Sequence, residues 1–251
     1  MTITLRPHQQ TAVDAMLEHD KGQVIIPTGG GKTICMIEDA KKQFDQIGST
    51  TIVVVAPRIL LAKQLCSEFL EVIDNAAVYH VHSGETEHFS STKPALIHNW
   101  HRQAYRNQMI FTTYHSLEKI VQSGISIDTI YFDEAHNSVQ RNFFVPTEFY
   151  SRHAGRCYFF TATPKHSVTP KKPGMNDSRV YGQVICNVPA PKLVEEGYIL
   201  PPVVRLTQLP QGDFKQSDSQ NLLDTIDDNT ADKILVAARS TKQIEIGRAH
   251  V

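Results

Sequence analysis

A glycine-rich segment near the amino end of the chain has the residue types of a phosphate-binding loop. Residues 27–33 read PTGGGKT and lie between a short apolar run, residues 24–26, and a segment of helical periodicity that begins at Lys32. Glycines let the backbone N–H groups and the helix amino end face phosphate oxygens, while the lysine neutralises them and the last hydroxyl ligates Mg²⁺. The residues expected to bind nucleotide here are Thr28, Gly29, Gly30, Gly31, Lys32 and Thr33.

A second segment ends an apolar strand in two adjacent carboxylates. Residues 129–136 read TIYFDEAH, with Asp133 and Glu134 directly after the apolar run. A carboxylate at a strand end can hold Mg²⁺ through its waters, and a neighbouring one can orient and deprotonate an attacking water. The phosphate loop and this carboxylate pair together predict nucleotide hydrolysis more strongly than either segment alone.

The two segments resemble the Walker A and DEAH-type Walker B motifs of superfamily 2 helicases. By this resemblance Asp133 is a metal ligand together with Thr33, Glu134 activates water, and Lys32 and His136 complete the catalytic set. The position five before Gly31 is Ile26, where the general phosphate-loop pattern has glycine. Superfamily 2 motors tolerate this departure.

Further segments match the same family in the expected order, over residues 5–206. LRPHQ at residues 5–9 resembles the adenine-reading element, in which the Gln9 amide pairs with the base edge next to Arg6. The alternative for Gln9 is an exposed helix residue. TATP at residues 161–164 resembles motif III, and we expect the hydroxyls of Thr161 and Thr163 to couple nucleotide to nucleic acid, with His136 as their partner.

Two more segments resemble the family's nucleic-acid contacts, motifs Ia and Ib. APRILLAKQ at residues 56–64 places a cation at a strand end, and TTYHSL at residues 112–117 offers hydroxyls before a helix. Both would meet the phosphate backbone without reading sequence. For the second segment, the alternative is a simple helix N-cap. The expected contacts are Pro57, Arg58, Gln64, Thr112, Thr113 and Ser116.

Short β-branched runs alternate with helical periods along the chain, which predicts an α/β fold with a parallel sheet flanked by helices on both faces. The resemblance to superfamily 2 helicases implies that this is the RecA-like P-loop NTPase fold. The predicted helices are residues 32–46 and 59–72. The predicted strands are residues 24–26, 51–56, 77–82, 109–112, 129–132 and 156–161. In open α/β sheets ligands bind beyond the carboxyl ends of strands, where the motifs fall.

The predicted domain organisation has three parts. Residues 1–207 form the ATP-binding domain, the polar and acidic residues 208–232 form a linker, and residues 233–251 begin a second RecA-like domain. One choice of codons for the last seven residues, EIGRAHV, reproduces the start of a sequencing adapter, so we expect the authentic sequence to end near Ile244. The family's arginine fingers lie in the second domain and contribute about 10³ to 10⁵ in rate. The chain is therefore expected to hydrolyse ATP weakly.

The bulk properties constrain the partners. A formal net charge of -1 gives no whole-chain basic field, so any nucleic-acid contact must be local. Four dispersed cysteines and no signal peptide indicate free thiols in a reducing compartment, and no apolar run is long enough to span a membrane. We therefore expect a cytoplasmic protein of a bacterium or phage-infected cell.

The preferred interpretation is an ATP- and Mg²⁺-dependent helicase or translocase that acts on DNA, as in the repair, phage recombination and restriction-translocase branch that the motif wording resembles. One alternative is an RNA-directed helicase, because of the DEAH spelling. Another is a one-lobe nucleotide-dependent binding module without motor activity. A small-molecule P-loop kinase would leave Gln9, the TATP segment and the adjacent carboxylates without a role.

Two other features invite alternative functions. The pairs His80 with His82 and His98 with His101 have metal-ligand spacing, but no cysteine lies beside either pair in sequence, which favours ordinary core or surface histidines. Trp100 lies among aromatic and basic residues that could stack on bases, although ordinary packing is the simpler interpretation. The Pro- and Lys-rich residues 164–173 are predicted to be an exposed loop.

Overall fold

The computed structural model describes residues 4–46, 49–104, 106–169 and 171–201. The strands are β1 Lys21–Ile25, β2 Thr51–Ala56, β3 Ala76–Val81, β4 Asn107–Thr113, β5 Thr129–Phe132, β6 Arg156–Thr161 and β7 Gln183–Asn187. The helices are α1 Pro7–Glu18, α2 Lys32–Gln46, α3 Ile59–Leu70, α4 Pro94–Gln103, α5 Leu117–Ser123, α6 Arg141–His153, α7 Ser178–Tyr181 and α8 Ala190–Glu195.

The seven strands form one sheet in the order β3-β4-β2-β5-β6-β1-β7, and every pairing is parallel. This confirms the predicted α/β fold. The carboxyl ends of parallel strands share one edge, so the segments after β1, β2, β4, β5 and β6 are brought together there. All the predicted motifs except the adenine-reading element are among these segments.

Two hydrophobic cores cover the two faces of the sheet. The all-buried strand β2 shows the division, because Ile52 and Val54 belong to one core while Val53 and Val55 belong to the other. This alternation follows from the period of two in a strand, and burial on both faces explains the continuous β-branched run. Helices α1, α2 and α3 pack in the first core, and α5 and α6 in the second.

A buried polar network joins α2 to the amino ends of β5 and β6. Asp39 is fully buried and forms an ion pair with Arg156 at 3.0 Å. Its carboxylate also accepts hydrogen bonds from Tyr131 Oη and from Gln43 Nε2 at 2.8 Å, and Thr129 donates to the Gln43 amide oxygen. Burial, with Asp39 as the next cause, raises the pKa of Tyr131 well above its ordinary range, so the phenol keeps the proton that it donates.

The predicted strand bounds agree with the structure for residues 51–56, 129–132 and 156–161. The first strand is Lys21–Ile25 rather than residues 24–26, and α3 ends at Leu70 rather than at residue 72. Strand β7, which reads QVICN, was not predicted, because its apolar run is only three residues long and three of its five residues are exposed at the sheet edge. The described part of residues 164–173 contains neither helix nor strand, as predicted.

The four cysteines are free and buried, which confirms the thiols expected in or near the core. None of the helices that the structure describes combines the length and apolar composition needed to cross a membrane. The predicted linker at 208–232 and the start of a second domain at 233–251 lie outside the described residues.

Candidate functional site

The glycine-rich loop joins the carboxyl end of β1 to the first residue of α2, Lys32. Gly29 and Gly31 have φ angles of +80° and +86°, in the left-handed region that favours glycine. A Cβ on Gly30 would lie 2.5 Å from Ile26 Cγ2, and one on Gly31 would collide with Gln9 Nε2. Glycine is therefore required at position 29 because of the backbone conformation, at position 30 because of the lack of space, and at position 31 for both reasons.

Two side chains of α1 hold this loop from behind. His8 Nε2 lies 2.8 Å from the Gly30 carbonyl oxygen, and Gln9 Nε2 donates to the same oxygen at 3.2 Å. The Gln9 amide oxygen accepts from the Arg6 N–H at 2.9 Å, so Gln9 connects the start of α1 to the loop. Gln9 is buried, in contrast to the alternative of an exposed helix residue, and one N–H and one lone pair of its amide remain available. His8 was not predicted, although it precedes Gln9 in the same motif.

The Glu134 carboxylate and the loop lysine, Lys32, face each other across the sheet edge. Lys32 Nζ lies 3.6 Å from Glu134 Oε1, and His136 Nδ1 lies 3.4 Å from Glu134 Oε2. The structure thus brings three of the four predicted catalytic residues into one contact chain, built from the loop after β1 and the segment after β5. A carboxylate held between a lysine and a histidine is well placed to act on a nucleophile bound beside the loop.

Glu134 is strained. Among the described residues it is the one non-glycine residue with a positive φ, at φ 46° and ψ 52°. Its carbonyl oxygen accepts hydrogen bonds from the Asn137 N–H at 3.0 Å and from Asn137 Nδ2 at 2.9 Å, which hold the turn. Residues kept in the left-handed region against their preference cluster at functional sites, so this turn is an independent indication of function.

Asp133 is a carboxylate in an unfavourable environment. Burial, and then the charge of Glu134, raise its pKa from 3.8 to about 6, although Lys32 acts in the opposite direction. Its backbone is fixed on both sides, because its N–H donates to the Val55 carbonyl and its own carbonyl accepts from Tyr114 Oη at 2.8 Å. A nearby cation would relieve this cost, and carboxylate oxygens are ligands that Mg²⁺ prefers. Thr33, the other expected metal ligand, lies in the first turn of α2.

The Thr161 hydroxyl links the segments that follow β5 and β6. His136 Nδ1 lies 3.0 Å from Thr161 Oγ1, and the Thr163 N–H donates to the same oxygen at 3.1 Å. Thr161 is fully buried. His136 therefore contacts the TATP segment through the Thr161 hydroxyl, whereas Thr163 contacts Thr161 through its backbone N–H and not through the hydroxyl that the sequence suggested.

The expected nucleic-acid contacts follow β2 and β4 on the other side of β5. Arg58 and Gln64 are exposed at the start and along α3, and Pro57 is half-buried. The side chain of Gln64 donates to Glu68 at 2.8 Å. The Thr113 hydroxyl donates to Ser116 Oγ at 3.4 Å, and no side-chain bond caps α5 at Ser116. The simple N-cap alternative for this segment therefore has no support from the geometry.

Thr112 is placed differently from the expectation. It is fully buried, and its hydroxyl donates to the Val81 carbonyl oxygen at 2.8 Å. Since side chains alternate along β4, Thr112 points into the fold one residue before the strand end, and it offers nothing to a phosphate backbone. Thr112 is therefore removed from the set of candidate contacts.

The remaining candidate features have structural explanations. His98 Nδ1 lies 3.1 Å from the Ser123 carbonyl and His101 Nδ1 lies 2.9 Å from Gln108 Oε1, so this pair bonds within the protein. Trp100 packs on Tyr79 with ring centroids 4.5 Å apart, in agreement with ordinary packing.

A protein-family model described as "Type III restriction enzyme, res subunit" matches residues 2–166, more than half of the chain. This chain belongs to that family. The match confirms the predicted superfamily 2 helicase-like motor domain, and the matched residues include the glycine-rich loop, the carboxylate pair and the Thr161 segment. No match was found among curated proteins.

Solved structures share the fold of this res-subunit domain at low sequence identity. A nuclease-deletion mutant of the type ISP restriction-modification enzyme LlaGI, in complex with a DNA substrate mimic, has 24% identity and a TM-score of 0.66, covering 78% of this chain and 21% of its own. The type ISP enzyme LlaBIII bound to DNA has 22% identity and a TM-score of 0.65, covering 78% and 16%. The Hef helicase domain of Pyrococcus furiosus has 21% identity and a TM-score of 0.53, covering 72% and 37%. The res-subunit domain therefore spans about a fifth of the length of the two restriction enzymes.

Proposed function

We propose that this chain is the nucleotide-binding motor domain of an ATP-dependent DNA translocase or helicase. The observation that carries the proposal is the contact chain from Lys32 through Glu134 and His136 to Thr161, because it joins the phosphate loop, the carboxylate pair and the β6 end. The DNA-bound restriction enzymes that share the fold favour DNA over RNA as the polymer.

The residues take distinct roles in this proposal. The loop N–H groups, Lys32 and Thr33 bind the phosphates, and Gln9 with Arg6 at its side reads adenine. Glu134 accepts the proton of the attacking water, with Lys32 and His136 holding its carboxylate in place. Thr33 and Asp133 would hold Mg²⁺, which supplies charge neutralisation at the phosphates.

Thr161 and His136 would couple the nucleotide site to the nucleic-acid contacts, since their hydrogen bond joins the carboxyl ends of β5 and β6. Arg58 at the start of α3, with Pro57, Gln64, Thr113 and Ser116, would contact the phosphate backbone. Completion of the catalytic site by a second RecA-like domain, entered through residues 208–232, belongs to the same proposal. The isolated chain is then a weak ATPase.

The first test is nucleotide binding by the full chain, measured by titration of a fluorescent ATP analogue in Mg²⁺ buffer. Lys32→Ala should weaken binding about 10- to 100-fold, because it removes a charge-assisted phosphate contact. Lys42→Ala, on the same helix but away from the loop, is the matched control. Equal affinity of both variants would overturn the proposed phosphate site.

The second test is competition between DNA and RNA strands of one sequence, measured by fluorescence anisotropy. The same assay at several salt concentrations tests the proposed contact of Arg58 with the phosphate backbone. Arg58→Ala should reduce the slope of log affinity against log salt by about one, and the control Arg152→Ala on α6 should leave this slope unchanged. Preference for the RNA strand would replace DNA with RNA as the polymer. Nucleotide binding without any nucleic-acid affinity would replace the motor with a one-lobe binding module.

A further inference from the structure

A second cluster of ligand-type side chains lies away from the nucleotide site, between α3 and the edge strand β3. One ligand atom from each of Cys66, His80 and His88 lies within 4.8 Å of the others. The sequence argument against a metal at His80 was the lack of a neighbouring cysteine. The fold brings Cys66 of α3, fourteen positions earlier in the chain, to His80, a proximity that spacing along the sequence does not reveal.

His80 carries a buried ring nitrogen that has no partner. His80 is 1% exposed, its Nδ1 lies 3.0 Å from His82 Nε2, and its Nε2 makes no hydrogen bond to any residue that the structure describes. Buried polar atoms are nearly always paired, and an unpaired one requires an explanation such as an ion. His80 lines a cavity of about 420 Å³ together with Cys66 and His88.

The cluster is held in place by the backbone. The loop that carries His88 is pinned along the outer edge of β3, because the His80 N–H donates to the Phe89 carbonyl at 2.9 Å and the Ser91 N–H donates to the His80 carbonyl at 3.1 Å. Glu85 and Glu87 line the same cavity and outnumber its lysine, Lys63. Carboxylates supply a further oxygen ligand and favour a cation at this place.

We propose that Cys66, His80 and His88 form a transition-metal site of the zinc class, with Glu85, Glu87 or water in the fourth position. One thiolate and two imidazoles are the ligands that Zn²⁺ prefers in four-coordinate sites. The three ligand atoms already lie within 4.8 Å of one another, near the separations that a four-coordinate zinc site requires. The Cys66 thiol then loses its proton to solvent as the sulfur–metal bond forms.

The ring protons rearrange with no further change in their number. The Gly84 N–H donates to His82 Nδ1 at 3.2 Å, so His82 carries its proton on Nε2 and donates it to His80 Nδ1. A metal on His80 Nε2 would place the His80 proton on Nδ1, from which it would be donated to His82 Nε2. The His82 proton would pass to Nδ1, and the hydrogen bond from the Gly84 N–H would be lost. This is the support that a metal-bound histidine ordinarily has, here provided by His82.

The site would fasten the helix that begins at Arg58 to the sheet edge. Cys66 is about two turns along α3 from Arg58 and two residues from Gln64, both proposed to contact nucleic acid, and the metal would bind this helix to β3 and to its loop. The metal site does not depend on the proposed ATPase function, because none of its residues takes part in the nucleotide site.

The test is titration of the tag-free, metal-free full chain with Co²⁺, without nucleotide and under reducing, anaerobic conditions. We expect one equivalent to bind, with a near-ultraviolet thiolate-to-cobalt band and intense visible bands of a four-coordinate ion, and Zn²⁺ should displace it. Cys66→Ser should abolish the ultraviolet band. His82→Ala should weaken binding about 10- to 100-fold.

His88→Ala, a substitution in a half-exposed loop that leaves the core intact, should weaken binding at least as much. Cys186→Ser and His153→Ala are the matched controls, and both should keep the wild-type spectrum. Asp133→Asn should keep it too, which separates this site from the nucleotide site. Lack of cobalt binding, a spectrum without the thiolate band, or wild-type affinity in His88→Ala would overturn the proposal.

Discussion

Two carboxylates, the fully buried Asp39 and the half-buried Asp133, lie near opposite ends of the central strands, and their surroundings differ. Asp39, near the amino ends of β5 and β6, is paired with Arg156 and accepts hydrogen bonds from Tyr131 and Gln43. In the described part of the chain, Asp133 at the carboxyl end of β5 accepts no side-chain hydrogen bond, and burial beside Glu134 raises its pKa to about 6. The partners of Asp39 stabilise the folded state, whereas the surroundings of Asp133 destabilise it.

The strained turn at Glu134 lies at the same end as Asp133. The strained backbone of Glu134 and the unfavourably placed charge of Asp133 thus lie at the same edge of the sheet, where the motifs meet. Such costs persist at sites that bind something able to relieve them, here a cation for Asp133. The amino end of the sheet stabilises the fold, and the carboxyl end carries the proposed chemistry. Four substitutions test this division by their effect on the free energy of unfolding.

Asp39→Ala should have the largest effect, lowering the free energy of unfolding by about 3–5 kcal/mol. It removes one partner of a buried ion pair and leaves Arg156 and Tyr131 without their acceptor. Urea unfolding followed through the single tryptophan, Trp100, measures it. The double variant Asp39→Ala with Arg156→Met, which removes both charges, is the control and should recover part of the loss. A loss below 1 kcal/mol would contradict a stabilising amino end.

Asp133→Asn should act in the opposite direction, raising the free energy of unfolding at pH 7 by about 1–3 kcal/mol. The folded-state pKa, about 6, exceeds the ordinary 3.8, so the folded state binds the proton more tightly than the unfolded state. This carboxyl therefore lowers stability progressively as the pH rises from about 4 to about 6, and by a constant amount above that. Urea unfolding across this range should show the gain of the variant disappear by pH 4. A gain that does not vary with pH would mean that charge is not the cause.

Glu134→Gly should stabilise the fold by about 1 kcal/mol relative to Glu134→Ala. Both variants lose the carboxylate, but only glycine adopts φ 46° without steric cost. The comparison of the two urea midpoints therefore isolates the backbone strain from the loss of charge. Alanine as stable as glycine would show that the turn stores no strain.

The sequence predicts those strands in which every residue is buried. Strands β2 and β5 were found with their bounds because they are buried on both faces and read as unbroken apolar runs. Strand β7 pairs only with β1 and is half-exposed, so its residues carry no such pattern. The glycine-rich loop and the carboxylate pair are local in sequence, which is why their residue types and spacing are sufficient to recognise them.

The features that escaped the sequence depend on contacts between distant segments. His8 acquires its role from the Gly30 carbonyl 22 residues later. The strain at Glu134 is a backbone property with no residue signature, since glutamate has no preference for that conformation. The cluster of Cys66, His80 and His88 comes from a helix, a strand and a loop, and the rule of ligand spacing along the chain cannot find it.

Thr161→Val should have the smallest effect on the free energy of unfolding, a loss of about 0.5–1.5 kcal/mol. Valine keeps the buried shape and removes one hydroxyl, which frees His136 and the Thr163 N–H. Nucleotide affinity should not change, because the contact of Lys32 with Glu134 is intact. The proposed link between the two sites implies that nucleic acid stimulates the weak hydrolysis of this chain, and in the valine variant the rate should fall to the unstimulated one. Thr161→Ser, which keeps the hydroxyl, should retain the stimulation. Equal stimulation in the valine and serine variants would show that this hydrogen bond is only structural. The carboxyl end of β6 would then stabilise the fold, as the amino end does, and would not take part in the proposed chemistry.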